Sequence, residues 1–301
     1  MIPRLLLLGT IFLLPTAFGV LGSSVLLCLC SFPYLTGRRW RSVNLIIIQL
    51  TLANTTLLLS RSIPMSIAVL RTKYFLNDLG CKTVLYLQCV SRDLSICTTC
   101  LLSCFQASII SPSGSLAARI KTGAPTHVLP SCLLCWLGSL FVDIDVPIHV
   151  MGLRAGPPNQ TEAVEFFYCS WEPSLADYVI VTYLRDAVLV GLMVWTSGYM
   201  VILLRKHSRQ VQYLHRISLP PRASPEIRAS ISILLLMSSF LSFYFINSCL
   251  ELGKRYLKKP DLWLHYVSTV LMLCFPAISP FVLLSGYVRV PESCCVMCTG
   301  T

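Results

Sequence analysis

Three sets of residues in this chain have types and spacings that could do chemistry. The cysteines stand out first, with fifteen in 301 residues. Cys97-Thr98-Thr99-Cys100 and Cys132-Leu133-Leu134-Cys135 both have the CxxC spacing. Each could supply half of a tetrahedral zinc site, provided the two pairs converge in space. Both lie in long apolar segments, where cysteine packs as a small hydrophobe, and no metal or cofactor is expected. The second set is the charges inside apolar segments: Arg61, Arg92, Asp93, Arg185 and Asp186. A charge at the centre of a bilayer costs about 2.5–3.5 kcal/mol on the insertion scale, so each needs a partner or a wet cavity. The third set, the five histidines, is scattered. No HExxH, P-loop or GxSxG elbow is present. The last apolar segment has no lysine for a Schiff base. An enzyme is not expected.

The two charged doublets set a pairing problem. Arg92 and Asp93 adjoin each other, as do Arg185 and Asp186, and residues adjacent in a helix do not share a face. Cross-helix pairing is the expected solution, Arg92 with Asp186 or Asp93 with Arg185. At about 1.5 Å per residue both doublets lie roughly 14–18 Å below the same end of the bundle. The cluster would either line a ligand cavity or clamp two helices together. Gln88 lies one helical turn before Arg92, so both could point into one cavity. The ligand-binding candidates are therefore Gln88, Arg92, Asp93, Arg185 and Asp186.

The elements that must position these residues are membrane helices. Only 12% of residues are charged, 55% are hydrophobic, and the mean hydropathy is +0.71. Apolar runs cover about 5–30, 43–70, 81–110, 128–150, 175–204, 230–250 and 263–286. Each is long enough to cross a bilayer as a helix, and helices are the open-chain way to satisfy every backbone group in lipid. The reading is an all-α membrane protein, one seven-helix domain over 1–301 with a short cytoplasmic tail at 287–301. The first run begins like a secretory signal but continues to Cys30, well past a signal core of roughly 7–15 residues. It is expected to be an uncleaved helix. Prolines 15, 64 and 276 are tolerable as kinks in such helices.

Charge placement orients the bundle. The net charge is +11, yet the basic residues sit in short loops between apolar runs. That pattern excludes a nucleic-acid platform and fits topogenic charge. Arg38, Arg39, Arg41, Arg119, Lys121, Arg205, Lys206, Arg209, Arg216, Arg222 and Arg228 all fall on one side, the expected cytoplasm. Lys254, Arg255, Lys258 and Lys259 break the pattern. Asn159-Gln160-Thr161, a glycosylation sequon, falls on the opposite side. The N-terminus is expected outside. A second sequon at Asn54 lies mid-helix, out of reach of glycosylation. Only Cys81 and Cys169 occupy outer-face positions in this topology, where a disulfide is permitted; two free thiols are the alternative. Cys294, Cys295 and Cys298 follow the last helix on the inner face and are candidates for palmitoylation or plain thiols.

Beyond composition, the chain resembles type 1 vomeronasal (pheromone) receptors, a rhodopsin-like family of G-protein-coupled receptors. The likeness runs from Leu59-Ser60-Arg61-Ser62-Ile63-Pro64 and Leu79-Gly80-Cys81-Lys82 through the stretch from Leu94 to Ser103 and on past Phe105-Gln106-Ala107 to Ser111-Pro112. It continues in Ala124-Pro125, Pro130-Ser131-Cys132, the segment from Val146 to Val150, Tyr168-Cys169-Ser170, the third-loop stretch from Arg222 to Ala229, and Ser279-Pro280-Phe281. Nearly the whole chain is covered in the right order. The resemblance implies an N-terminus outside, a Cys81–Cys169 disulfide, a glycan at Asn159 and a multi-pass place in the plasma membrane. It implies small volatile or hydrophobic ligands and a heterotrimeric Gi/Go-type partner facing Arg205, Lys206, Arg209, Arg216, Arg222 and Arg228. It also accounts for Phe105-Gln106-Ala107 where many rhodopsin-like receptors carry an acidic-arginine-tyrosine motif, and for Ser279-Pro280 in place of asparagine-proline. Two positions depart: the family tends to have arginine at Cys89 and glycine at Asp93.

The expected mechanism is a population shift, in which a ligand beneath the pinned loop enriches the active arrangement and the inner loop meets Gα. The rivals are a bitter-taste-type receptor, a transporter or channel, and a seven-helix protein that no longer signals. The paired cysteines and the third loop weigh against the first. The lack of inverted halves weighs against the second.

Overall fold

The computed structural model describes residues 2–35, 42–70, 75–111, 115–152, 164–165, 169–171, 176–214, 225–256 and 262–287. Seven long helices are α1 (Ile2–Leu35), α2 (Ser42–Leu70), α3 (Asp78–Ile110), α4 (Ser115–Val142), α6 (Ala176–Leu214), α7 (Pro225–Tyr256) and α8 (Leu262–Tyr287). All seven contain segments long and apolar enough to cross a membrane. Between α4 and α6 come a 3-10 turn (Asp143–Asp145), the short α5 (Val146–His149) and three strands, β1 (Val150–Gly152), β2 (Val164–Glu165) and β3 (Cys169–Trp171).

Helix ends differ from the hydropathy reading in both directions. The fourth helix starts at Ser115 and ends at Val142, where the apolar run marks 128–150. The sixth continues ten residues past Leu204 to Leu214. Hydropathy measures the lipid slab, whereas a helix can run on into water through exposed residues such as Arg205 and Lys206. The fourth run's last residues instead become turn, short helix and strand.

α3 is the central pillar. It packs on α2, α4, α6 and α7, and its N-terminal end meets β1. The Asn77 side chain caps that end by accepting the Gly80 N–H at 2.9 Å. One turn carries both loop anchors. Asp78 Oδ1 accepts the Gly152 N–H at 2.8 Å, and Cys81 is disulfide-bonded to Cys169 on β3, with Cα atoms 5.8 Å apart. A Cβ on Gly152 would lie 2.9 Å from Asp78 Oδ1, so only glycine lets β1 come this close. β3 is the middle strand of the small sheet, antiparallel to β1 and β2. The loop is thereby held over the α3 end of the bundle by a covalent bond and a hydrogen bond from adjacent strands.

Lipid is as apolar as leucine, so association of these helices rests on close packing and on polar links. At Gly19 of α1 a Cβ would lie 3.0 Å from the Ala277 Cα of α8, a close backbone approach between the two helices. On the outside, Leu133, Leu134, Leu137 and Phe141 of α4, and Leu184, Val188, Trp195 and Ile202 of α6, are exposed apolar side chains suited to lipid.

The prolines create specific polar links. A proline inside a helix leaves the carbonyl four residues earlier without its N–H. Pro64 does this to Ser60, and Gln88 Nε2 of α3 donates to that Ser60 carbonyl at 2.7 Å. Pro280 does it to Pro276, whose carbonyl accepts the Ser279 hydroxyl at 3.2 Å. Ser279 also accepts Asn54 Nδ2 at 2.8 Å, and Asn54 Oδ1 accepts the Ser95 hydroxyl at 2.7 Å. Asn54 is thus a buried junction of α2, α3 and α8, consistent with its sequon being out of reach.

Candidate functional site

At mid-depth the ionic residues form one chain across three helices. Asp93 of α3 is fully buried. Its Oδ1 accepts Arg92 Nε at 3.2 Å and Nη2 at 3.1 Å, and its Oδ2 accepts Nη1 of Arg185 on α6. Arg185 also donates to its neighbour Asp186, Nη2 to Oδ1 at 2.7 Å and Nε to Oδ1 at 3.1 Å. Tyr244 of α7 donates its hydroxyl to Asp186 Oδ2 at 3.0 Å. The order Arg92, Asp93, Arg185, Asp186, Tyr244 alternates in sign and sums to zero charge. A neutral, hydrogen-bonded string is the form in which such charges are tolerated in lipid.

The expected cross-helix pair of Asp93 with Arg185 is present. The expectation that sequence neighbours cannot meet is corrected: Arg92 bonds Asp93, and Arg185 bonds Asp186. The Cβ atoms do diverge, but an arginine stem is long enough to turn its guanidinium back onto the next residue. Each doublet therefore bonds within itself and across the α3–α6 interface.

The five candidates are not equivalent. Arg92 is the most exposed charge of the string, its side chain 35% exposed, against 20% for Arg185, 4% for Asp186 and 0% for Asp93. Gln88 is buried and turned to α2, donating to Ser60 and accepting Arg61 Nη1 at 3.4 Å. Tyr244 carried no signal in the sequence, since it is one aromatic in an apolar run. Its ring stacks on Phe240 with centroids 5.8 Å apart, and Phe240 meets Phe275 of α8 edge-on at 4.8 Å. The ionic string thus continues as an aromatic one into α8.

Further polar links join α3 to α6 nearer the other end. Ser103 hydrogen-bonds Thr196, and Ser111 hydrogen-bonds Tyr199 at 2.9 Å. Cys97 of α3 and Cys135 of α4 lie close enough to influence each other, so the two CxxC segments do approach across these packed helices. Among the described residues no group of three or more histidine, cysteine or acidic side chains is arranged to hold a metal. Arg205 and Lys206 are exposed near the far end of α6. Arg209 and Arg228 fall in α6 and α7, with side chains outside the described set. Asn159, Arg216, Arg222, Cys294, Cys295 and Cys298 lie outside the described residues.

A family profile described as the vomeronasal organ pheromone receptor family matches residues 7–295. The chain belongs to that family. It is 42% identical over 275 residues to vomeronasal type-1 receptor 4 of Homo sapiens, covering 90% of this chain and 91% of that one. Vomeronasal type-1 receptor 1 of Homo sapiens is 36% identical over 289 residues, 95% of this chain and 82% of the relative. Vomeronasal type-1 receptor 90 of Rattus norvegicus is 32% identical over 280 residues, 91% and 89% respectively. This vomeronasal-family protein is accordingly a multi-pass membrane receptor of the chemosensory, G-protein-coupled class, in a family of signalling receptors rather than enzymes. The ionic string is where that membership meets the geometry: it ties together the three helices α3, α6 and α7 of a seven-helix receptor.

Proposed function

We propose that this vomeronasal-family receptor sits in the plasma membrane with its N-terminus outside, binds small volatile or hydrophobic molecules, and promotes nucleotide exchange on Gi/Go-type Gα. The ligand enters from the disulfide end, beneath the loop held by Cys81–Cys169 and by Asp78 with Gly152. The observation that carries the reading is the buried string from Arg92 to Tyr244, which bridges α3, α6 and α7 beneath that loop. Arg92, the most exposed charge of the string, is the residue that meets the ligand in this reading. The string holds the resting arrangement of α7 against α6 through a single hydroxyl, so a ligand that competes for Arg92 or Asp186 weakens that hold. A ligand shifts the equilibrium only by its difference in affinity for the two arrangements, and each bond it removes from the resting one contributes to that difference.

On the inner side, Arg205, Lys206, Arg209, Arg216, Arg222 and Arg228 face Gα, and Cys294, Cys295 and Cys298 are lipidation sites that hold the tail to the bilayer. Asn159 carries a glycan on the outer loop. Gln88 and Asp93 act as positioning residues, since both are buried with their polar atoms engaged. The test is nucleotide exchange on purified Gαi, Gαo, Gαs and Gαq by receptor in nanodiscs, across a panel of volatile compounds. Ligand-dependent exchange on Gαi or Gαo supports the reading. Exchange confined to Gαs or Gαq overturns the coupling, and ion flux without exchange points to a channel.

A further inference from the structure

The mid-depth charges comprise three arginines and two aspartates, and the string uses both aspartates. Arg61 of α2 is the arginine left over. Among the described residues no carboxylate lies within ion-pair distance of it. Its Nε is buried and has no hydrogen-bond partner. Its Nη1 reaches a neutral acceptor, Gln88 Oε1, at 3.4 Å, which is long for a charged donor.

Arg61 is not turned to lipid. The lipid stripe of α2 is marked by exposed Leu52, Leu59 and Ile63. Arg61 lies two residues from both Leu59 and Ile63, which at 3.6 residues per turn is nearly the opposite side of the helix. The Gln88 contact independently aims it at α3. It lies about 13 Å below the Leu70 end of α2, on the loop-covered side of the bundle. Leu58 and Met65, one turn to either side on α2, and Leu85, one turn from the contacting Gln88 on α3, belong to one apolar cluster that also includes Leu273 and takes in half-buried Cys89 and Tyr266. A planar guanidinium with free donors, set in an apolar wall and half-buried toward the bundle interior, is matched by a carboxylate on an apolar body.

We propose that Arg61 is an anion subsite of the ligand cavity, and that this receptor takes small amphiphilic organic acids, whose carboxylate pairs with Arg61 while the apolar body lies on the Leu58, Met65 and Leu85 wall. This deepens the receptor reading and rests on it for the existence of a ligand cavity. Binding without G protein tests it separately, so its failure leaves the coupling result untouched.

The probe is decanoate against methyl decanoate, titrated into the full chain in phosphatidylcholine nanodiscs, with thermal stabilisation as the readout. Decanoate is expected to bind about tenfold or more tighter than the ester, the order of one charge-assisted pair. Arg61→Gln removes that preference and Arg61→Lys keeps part of it. Gln88→Glu supplies an internal carboxylate to Arg61 and abolishes the decanoate response, which keeps the test open should Arg61→Gln fail to fold. Equal binding of acid and ester, or an unchanged preference in Arg61→Gln or Gln88→Glu, overturns the proposal. So does full reproduction of the shift by sodium chloride or sulfate, which assigns the site to an inorganic anion. An Arg61-dependent shift produced by phosphatidylglycerol in the disc, in place of decanoate, assigns it to a lipid headgroup and equally overturns it.

Discussion

Replacing Asp93 by asparagine tests the energetic logic of the ionic string. Asp93 accepts two bonds from Arg92 and one from Arg185 and is wholly buried. Removing one partner of a buried ion pair costs about 3–5 kcal/mol, because the other charge is left uncompensated. Two features place this case at the low end. Arg92 is 35% exposed and can turn to water, and Arg185 retains two bonds to Asp186. A loss of about 3 kcal/mol is expected, a fall in melting temperature of about 5 °C at an unfolding entropy of about 2.1 cal/mol/K per residue. Tryptophan fluorescence of the receptor in nanodiscs measures it. The double change Asp93→Asn with Arg185→Gln restores neutrality to the string, so its cost should fall short of the sum of the single changes by about 1 kcal/mol or more. A loss below about 1 kcal/mol for Asp93→Asn, or strict additivity in the double variant, would refute the view that these charges stabilise one another.

Three further outcomes are expected. Asp186→Lys puts a third cation beside Arg92 and Arg185 with only Asp93 to balance them, and should abolish surface display of a tagged receptor; normal display with normal signalling would sink the pairing. Asn54→Leu leaves the Ser95 and Ser279 hydroxyls without their shared partner and should cost about 1–3 kcal/mol, read as a melting shift. Cys169→Ser cuts the covalent anchor of the loop, which spans 88 residues of chain, and should cost roughly 2–5 kcal/mol and expose Cys81 to an impermeant maleimide; no gain in labelling would mean the anchor is absent in the cell.

The seven helices were legible because lipid leaves few ways to satisfy a backbone, and apolar length reports that constraint directly. What hydropathy could not show is structure outside the slab: the ten residues of α6 past Leu204 and the strands at Val150–Gly152 and Cys169–Trp171. The charged residues of the string were also legible, as expensive groups that had to be matched. Their internal pairing was not, because the spacing rule follows Cβ directions and ignores the reach of an arginine. Gln88 was placed with Arg92 by helical spacing, whereas its partner was set by Pro64, whose missing N–H leaves the Ser60 carbonyl open. The proline rule applied to residue 60 would have found that link. Asn54 was visible only as an unusable sequon, and nothing in an apolar run containing Ser242, Phe243 and Tyr244 distinguishes the tyrosine that meets Asp186.

The most direct test of the string as the resting hold is basal and ligand-driven Gi/Go dissociation in cells, comparing wild type with Tyr244→Phe at matched surface staining. The substitution deletes one hydroxyl, the bond that joins α7 to the string, and leaves the ring that packs on Phe240. A hydrogen bond to a charged group is worth about 1.5–3 kcal/mol, so release of α7 should raise basal signalling about tenfold or more while the resting state predominates. The expected result is a wild-type receptor that answers a volatile through Gi/Go, together with raised basal output in Tyr244→Phe. Basal and ligand-driven output unchanged in Tyr244→Phe would contradict the string as the resting hold. Silence of both well-displayed receptors across a broad panel would contradict the receptor reading in favour of a chain that folds and no longer signals.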